Sequence, residues 1–235
     1  MLFNSPEFLL GFLPVTLVAF FAAARLKRGR TLVLLVASWA FYAAWSVAYL
    51  PLLILSTAGN FLVGMQLIRR RSRLLLGLAV AANLLLLGWY KYTGFGVEAL
   101  GDLLGRDLPA LHVILPIGIS FYTFTQIAFL VDAWRGRVVD RDPIRYALFV
   151  SFFPHLIAGP ILHHEEMTRQ FRAYPRVSGA DVATGVTLFV MGFAKKVALA
   201  DSLAPFVSAG FDNPASAVAA WTFPIDGCVA LPLVE

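Results

Sequence analysis

Charge is what this sequence has least of. Only 14% of its 235 residues are charged, against 59% hydrophobic, and the mean hydropathy is +0.76. A water-soluble domain carries about 25% charged residues, so this chain has too few to cover a water-facing surface and reads as a membrane protein. Cysteine is nearly absent as well: Cys228 stands alone, which excludes an internal disulfide framework. No Asp or Glu lies inside any of the long apolar runs. Coupled transporters place carboxylates at membrane depth, so that class is disfavoured, while an uncoupled channel is not. A phosphate-cradling loop is missing too, because the glycines of GISFYTFTQ and LIAGP are not followed by Gly-Lys-Ser/Thr.

What is present is concentrated in one stretch, FFPHLIAGPILHHEEM, residues 152–167, with three of the four histidines. A metal reading fails on spacing. A zincin helix needs His-Glu-x-x-His, and Thr168 stands where the second ligand after His164 would be. His163 and His164 are neighbours, so on a helix they point about 100° apart and do not converge on one ion. No metal is expected.

The net charge of +5 is gathered in RLKRGR (25–30), RRRSR (69–73), RGRVVDRDPIR (135–145) and RQFRAYPR (169–176), each at the end of an apolar run. That placement is the topology signal of cytoplasmic loops, and no nucleic-acid partner is inferred. The order of charges puts the N-terminus outside. Crossings are then expected at 8–24, 31–45, 49–68, 74–92 and 112–131, in runs long enough for helices and separated by aromatic or arginine-rich ends. Residues 93–111, with Glu98, Asp102, Arg106 and Asp107 among apolar residues, read as an amphipathic helix lying outside the bilayer.

Residues 146–162 break the alternation. A sixth crossing there would strand Arg169, Arg172 and Arg176 on the outer side, and Pro154, Gly159 and Pro160 interrupt helical hydrogen bonding. A re-entrant segment that dips in and exits on the same face, near His163 and His164, meets both facts. Pro154, His155, Gly159 and Pro160 are the candidates for lining such a segment or a tunnel. His155 is placed to act as a general base, or, the preferred reading, to bond backbone carbonyls freed by the break. His163 and His164 read as interfacial loop residues and His112 as a span end. In 181–203 the late Lys195 and Lys196 either snorkel, line a polar cavity, or mark a helix partly in the interface.

Three ordered blocks carry a family resemblance: LPIGISFYTFTQIAFLVDAWRG (115–136), FVSFFPHLIAGPILHHEEMTRQF (149–171) and GFAKKVALADSLAP (192–205), after an opening LFNSPEFLLGFLPV (2–15). Together they resemble the membrane-bound O-acyltransferases (MBOAT), in the branch of the bacterial alginate O-acetylation proteins. The resemblance implies an all-α, polytopic transmembrane protein enclosing a tunnel, in the bacterial inner membrane. It implies transfer of an acetyl group from a cytoplasmic acyl donor, acetyl-CoA or another, to hydroxyls of an envelope polysaccharide such as alginate. The lipid bilayer and acyl-carrier proteins would be its partners, with no bound cofactor. The family's signature histidine belongs to a Trp-His-Gly type motif that this chain lacks, its last histidine being His164. Residues 1–220 are therefore expected to be the N-terminal half of the fold, residues 221–235 a divergent tail, and the chain alone inactive with no catalytic residue of its own. A non-enzymatic channel or export subunit is the alternative.

Overall fold

The computed structural model describes residue 3 and residues 5–26, 28–104, 114–156, 164–173 and 177–204. The proposed boundary at 220 and the tail beyond it lie outside them. Among the described residues every regular element is helical. The chain forms two compact units, Met1–Tyr174 and Pro175–Glu235.

The first unit opens with a π-helical turn, Glu7–Phe12, that runs into α1 (Leu13–Ala22). Then follow α2 (Gly29–Trp45), α3 (Leu50–Arg70), α4 (Arg73–Leu104), α5 (Ile119–Arg135), α6 (Pro143–Ser151), α7 (Phe153–Leu156) and α8 (His164–Ala173). By length and composition Glu7–Arg25, Val47–Arg70 and Arg73–Val97 can each cross a membrane. The expected crossings at 31–45 and 112–131 correspond to α2 and α5, each of 17 residues. At 1.5 Å per residue these are about 26 Å long, slightly under a typical hydrocarbon thickness.

Two boundaries differ from the sequence reading. The fifth apolar run begins at residue 112, yet α5 starts only at Ile119, because Gly118 adopts φ +69° and Pro116 lacks the N–H a helix would use. The break expected near residue 93 is absent, and α4 continues unbroken to Leu104. Gly94 and Gly96 weaken a helix by only about 1 kcal/mol each, less than continuing a formed helix returns. The part of the expected outer helix beyond residue 104 lies outside the described residues.

α5 is the centre of this unit. It packs on α3 and α4, and Ile119, Tyr122, Phe129, Leu130 and Ala133 are buried along it. The approach to α3 is close: a Cβ on Gly64 would lie 2.4 Å from the Phe129 ring, so only glycine fits at 64. Midway along the three helices a network of amides centred on Asn60 replaces apolar contact. Asn60 Nδ2 donates to Gln126 Oε1 at 2.6 Å and to Asn83 Oδ1 at 3.1 Å. Asn83 Nδ2 donates back to Asn60 Oδ1 at 2.7 Å, and Ser56 Oγ donates to Gln126 Oε1 at 2.8 Å. The outward faces of α3 and α4 carry large exposed apolar side chains such as Leu55, Leu62 and Leu85. Such a surface suits lipid rather than water.

The second unit is described by α9 (Gly179–Ala194), continued by a π-helical stretch, Lys195–Ala200. Ser178 and Asp181 form a capping box at its start, each side chain bonding the other's backbone N–H. Gly179–Ala204 is long and apolar enough to cross a membrane. Lys196 Nζ pairs with Asp201 Oδ1 at 2.5 Å, so one of the two late lysines is met by a carboxylate of its own helix.

Candidate functional site

The stretch that stood out in sequence is built around α7. Ser151 ends α6, Phe152 turns the chain with ψ 109°, and the four residues Phe153–Leu156 form a single helical turn. Three contacts wedge it in place. The Phe153 N–H donates to Ser38 Oγ of α2 at 3.2 Å. The Phe153 ring lies 5.2 Å from Phe12, 5.6 Å from Phe41 and 6.1 Å from Phe8, in a cluster of edge-to-face and tilted rings. On the opposite side, a Cβ on Gly118 would be 2.7 Å from the Leu156 carbonyl oxygen, so α7 abuts the start of α5.

His155 is buried in this wedge, its ring edge-to-face with Phe121 of α5 at 5.1 Å. Pro154 is exposed. Gly159, Pro160, His163 and His112 lie outside the described residues, so of the four candidates the structure brings two to the same turn. Among the described residues no three His, Cys, Asp or Glu side chains gather as a metal site would need.

His164 corrects the sequence reading, which had it as an interfacial loop residue. It begins α8 and is only 3% exposed. Its ring sits among Phe129 and Phe149, each 5.1 Å away, and Tyr146 at 6.1 Å. The reason is helical spacing: His164, Met167, Thr168 and Phe171 share one buried face of α8, while Glu166, Arg169 and Gln170 face out. Burial outweighs the pull of Asp140 and other nearby carboxylates and lowers the His164 pKa to about 4 from the usual 6.5. Nδ1 is buried without a hydrogen-bond partner among the described residues.

An ion network ties this helix to the rest. Asp140, 4% exposed, accepts from Arg145 Nε at 2.5 Å, Arg145 Nη2 at 2.9 Å and Arg172 Nε at 3.1 Å. Asp142 caps α6 through the N–H groups of Ile144 and Arg145 and pairs with Arg28 at 3.1 Å. Burial alone would raise the Asp140 pKa, but the hydrogen bonds from Arg145, Asp142 N–H and Arg172 bring it down to about 2. Residues 140 and 172 flank the stretch 146–162, and their side chains touch. The two ends of that stretch are thus brought within one hydrogen bond of each other.

The same contacts gather the four basic clusters. Arg28 meets Asp142 and Arg172 meets Asp140. Trp134 Nε1 donates to the Arg71 carbonyl at 3.1 Å, next to Arg135 and Arg137. Described residues of all four clusters therefore meet at one end of the first unit.

The geometry supplies a buried histidine on a broken helix and a basic face, and relatives decide what family owns them. The chain is 39% identical, over 92% of its length, to the peptidoglycan O-acetyltransferase of Helicobacter pylori. It is 40% identical over 87% of its length to the probable alginate O-acetylase AlgI of Pseudomonas aeruginosa, and 39% over 87% to that of Azotobacter vinelandii. Along nearly its whole length the chain is similar to O-acetyltransferases of the membrane-bound O-acyltransferase type. It spans under half the length of these O-acyltransferase relatives: 47%, 41% and 42% respectively. No family model matches the chain, and no solved structure does.

Within an O-acyltransferase the α7 wedge offers position rather than a complete reaction centre. Acyl transfer needs a base within hydrogen-bond reach of the attacking hydroxyl and a path for both substrates. His155 is the only candidate that sequence reasoning placed here. The residues that reasoning missed, Asp140 and His164, are recognisable only once α6 and α8 are seen to pack together.

Proposed function

We propose that this chain forms part of a bacterial inner-membrane enzyme that transfers an acetyl group to hydroxyls of an envelope polysaccharide. The observation that carries the reading is identity of 39–40% over 87–92% of the chain with proteins named for O-acetylation of peptidoglycan and of alginate. An acyl donor, acetyl-CoA or another activated acetyl group, is taken from the cytoplasmic side. The acceptor hydroxyl attacks the acyl carbonyl, its proton passes to a base, and the donor's leaving group departs with the electron pair. Residues 146–162 re-enter the membrane from the cytoplasmic face, with Pro154, His155, Gly159 and Pro160 at the turn. The side-by-side placement of Asp140 and Arg172 supports that reading. His155 holds the broken segment against α5 and is not the base.

The test uses the complete reading frame that contains this chain, expressed in a strain lacking its own polysaccharide O-acetylation. Base-released acetate from the purified polymer is the readout. Acetate above the empty-vector background is expected. His155→Ala should keep activity within about tenfold, since loss of a general base costs about a hundredfold or more. A membrane-inserted protein that leaves the polymer unacetylated would overturn the function. A loss beyond a hundredfold in His155→Ala, with normal protein in the membrane, would make His155 the base.

A further inference from the structure

We propose that the paired turns after α3 and α5 form a site for the phosphate of an anionic diacyl phospholipid in the cytoplasmic leaflet. The first of these turns holds a charged residue in a strained backbone conformation. Arg71 has φ 44°, the only positive φ at a non-glycine position among the described residues. It stands just past the end of α3, where glycine or asparagine is the usual occupant, because a side chain in the left-handed region costs energy. Such strain persists only where the surroundings hold it.

The surroundings here come from the other turn. Trp134 Nε1 donates to the Arg71 carbonyl at 3.1 Å. The Arg71 guanidinium lies over Gly136, where a Cβ would be 2.5 Å from Nη2, and Gly136 itself has φ +74°. A side chain at 136 would be strained by that left-handed φ and would displace the guanidinium. Yet none of the Arg71 guanidinium nitrogens has a hydrogen-bond or ion-pair partner among the described residues. A guanidinium placed this way and capping neither helix has donors to spare for an outside anion.

The neighbours share the charge. Arg69, Arg70 and Arg73 on the first turn and Arg135 and Arg137 on the second are all exposed. Neither RRRSR (69–73) nor RGR (135–137) contains a carboxylate, and Asp132, one turn back on α5, is buried. Six cations at one place repel one another unless an anion joins them. The lipid source follows from what adjoins the cations. Leu74 is 74% exposed and Leu78 61% exposed, with Gly77 between them bordered by open space. They form an apolar stripe leading from the arginines along the membrane-crossing part of α4. A phosphodiester at Arg71 would lay its chains on that stripe, whereas a soluble phosphate has nothing to place there. Juxtamembrane arginines near anionic headgroups are the electrostatic half of the same fit.

Native mass spectrometry of the full chain in detergent micelles tests this, with dioleoyl phosphatidylglycerol or dioleoyl phosphatidylcholine titrated in. Retention of phosphatidylglycerol over phosphatidylcholine is expected. The triple variant Arg69→Gln, Arg70→Gln, Arg71→Gln should weaken phosphatidylglycerol binding about a hundredfold, roughly fivefold per arginine. Among single variants Arg71→Gln should lose most. The control triple Arg25→Gln, Arg141→Gln, Arg169→Gln removes the same charge from other exposed positions and should stay within about threefold. Equal losses in the two triples would mean a diffuse charge effect and overturn the site. Equal retention of phosphatidylcholine would do the same. Displacement of phosphatidylglycerol by millimolar inorganic phosphate would overturn the lipid assignment in favour of a free-anion site.

Discussion

Asp140→Ala should destabilise the first unit by about 3 kcal/mol, at the low end for breaking a buried ion pair. The low end applies because Arg145 and Arg172, at 24% and 42% side-chain exposure, can recover some hydration once the carboxylate is gone. The change also removes the link between α6 and α8, so α8 should detach first. Its lost helicity should appear in circular dichroism before the spanning helices respond. Asp140→Asn keeps the shape and loses the charge, and should cost about half as much. The same network sets an acid response with two separate windows. Asp140 titrates at about 2 instead of the usual 3.8, so its contribution is complete above pH 3.8 and is lost as pH falls from there towards 2. His164 titrates at about 4 instead of 6.5, and for a base this means burial favours the neutral form. Its neutral ring imposes no penalty above pH 6.5, and the protein loses stability as pH falls from 6.5 towards 4. His164→Leu should flatten the upper window and leave the lower one. Detergent unfolding monitored by helicity at stepped pH gives the answer. An upper window that survives His164→Leu, or an Asp140→Ala variant within about 0.5 kcal/mol of wild type, would refute this account.

What was legible in the sequence was whatever a single run of residues could express. Apolar run length gave the helices, and arginine placement gave a common face that Arg28–Asp142, Trp134–Arg71 and Arg172–Asp140 now connect. Pro154 and its neighbours marked a break, and the structure has one, the single turn Phe153–Leu156 after α6. Pairings across the chain were not legible. Asp140 looked like one more charge in a mixed loop, because its partners stand 5 and 32 residues away. His164 looked exposed because α8 carries only Met167 and Phe171 as apolar markers of its buried face. The start of α5 was missed for a local reason, since hydropathy does not register the left-handed Gly118.

The amide network of α3, α4 and α5 is the clearest of these unreadable features, and it supports the second large prediction. Asn60, Asn83 and Gln126 are the amides of three separate apolar runs, Asn83 and Gln126 standing 23 and 66 residues from Asn60. Together they satisfy one another inside a bundle whose outer surface is apolar, so each lost partner leaves an amide with no water to turn to. Asn60→Leu removes the hub and strips Asn83 of its reciprocal pair while leaving Gln126 Oε1 with Ser56 alone. It should cost about 2–3 kcal/mol, above the average interhelical bond in membranes because several bonds go at once. Asn83→Leu alone should cost about 1–2 kcal/mol, since Asn60 keeps Gln126 and the Ser56 carbonyl. The double variant is the decisive one. Leucine has the same number of side-chain heavy atoms as asparagine, so both sites can be filled with apolar groups and no orphaned amide remains between α3 and α4. Its cost should stay near that of Asn60→Leu alone, a coupling of about 1–2 kcal/mol in a double-mutant cycle. Reversible unfolding of the four proteins in mixed micelles measures it. Strict additivity would mean that the two amides act independently, and the network would then be a set of separate contacts rather than a single fastening of the bundle.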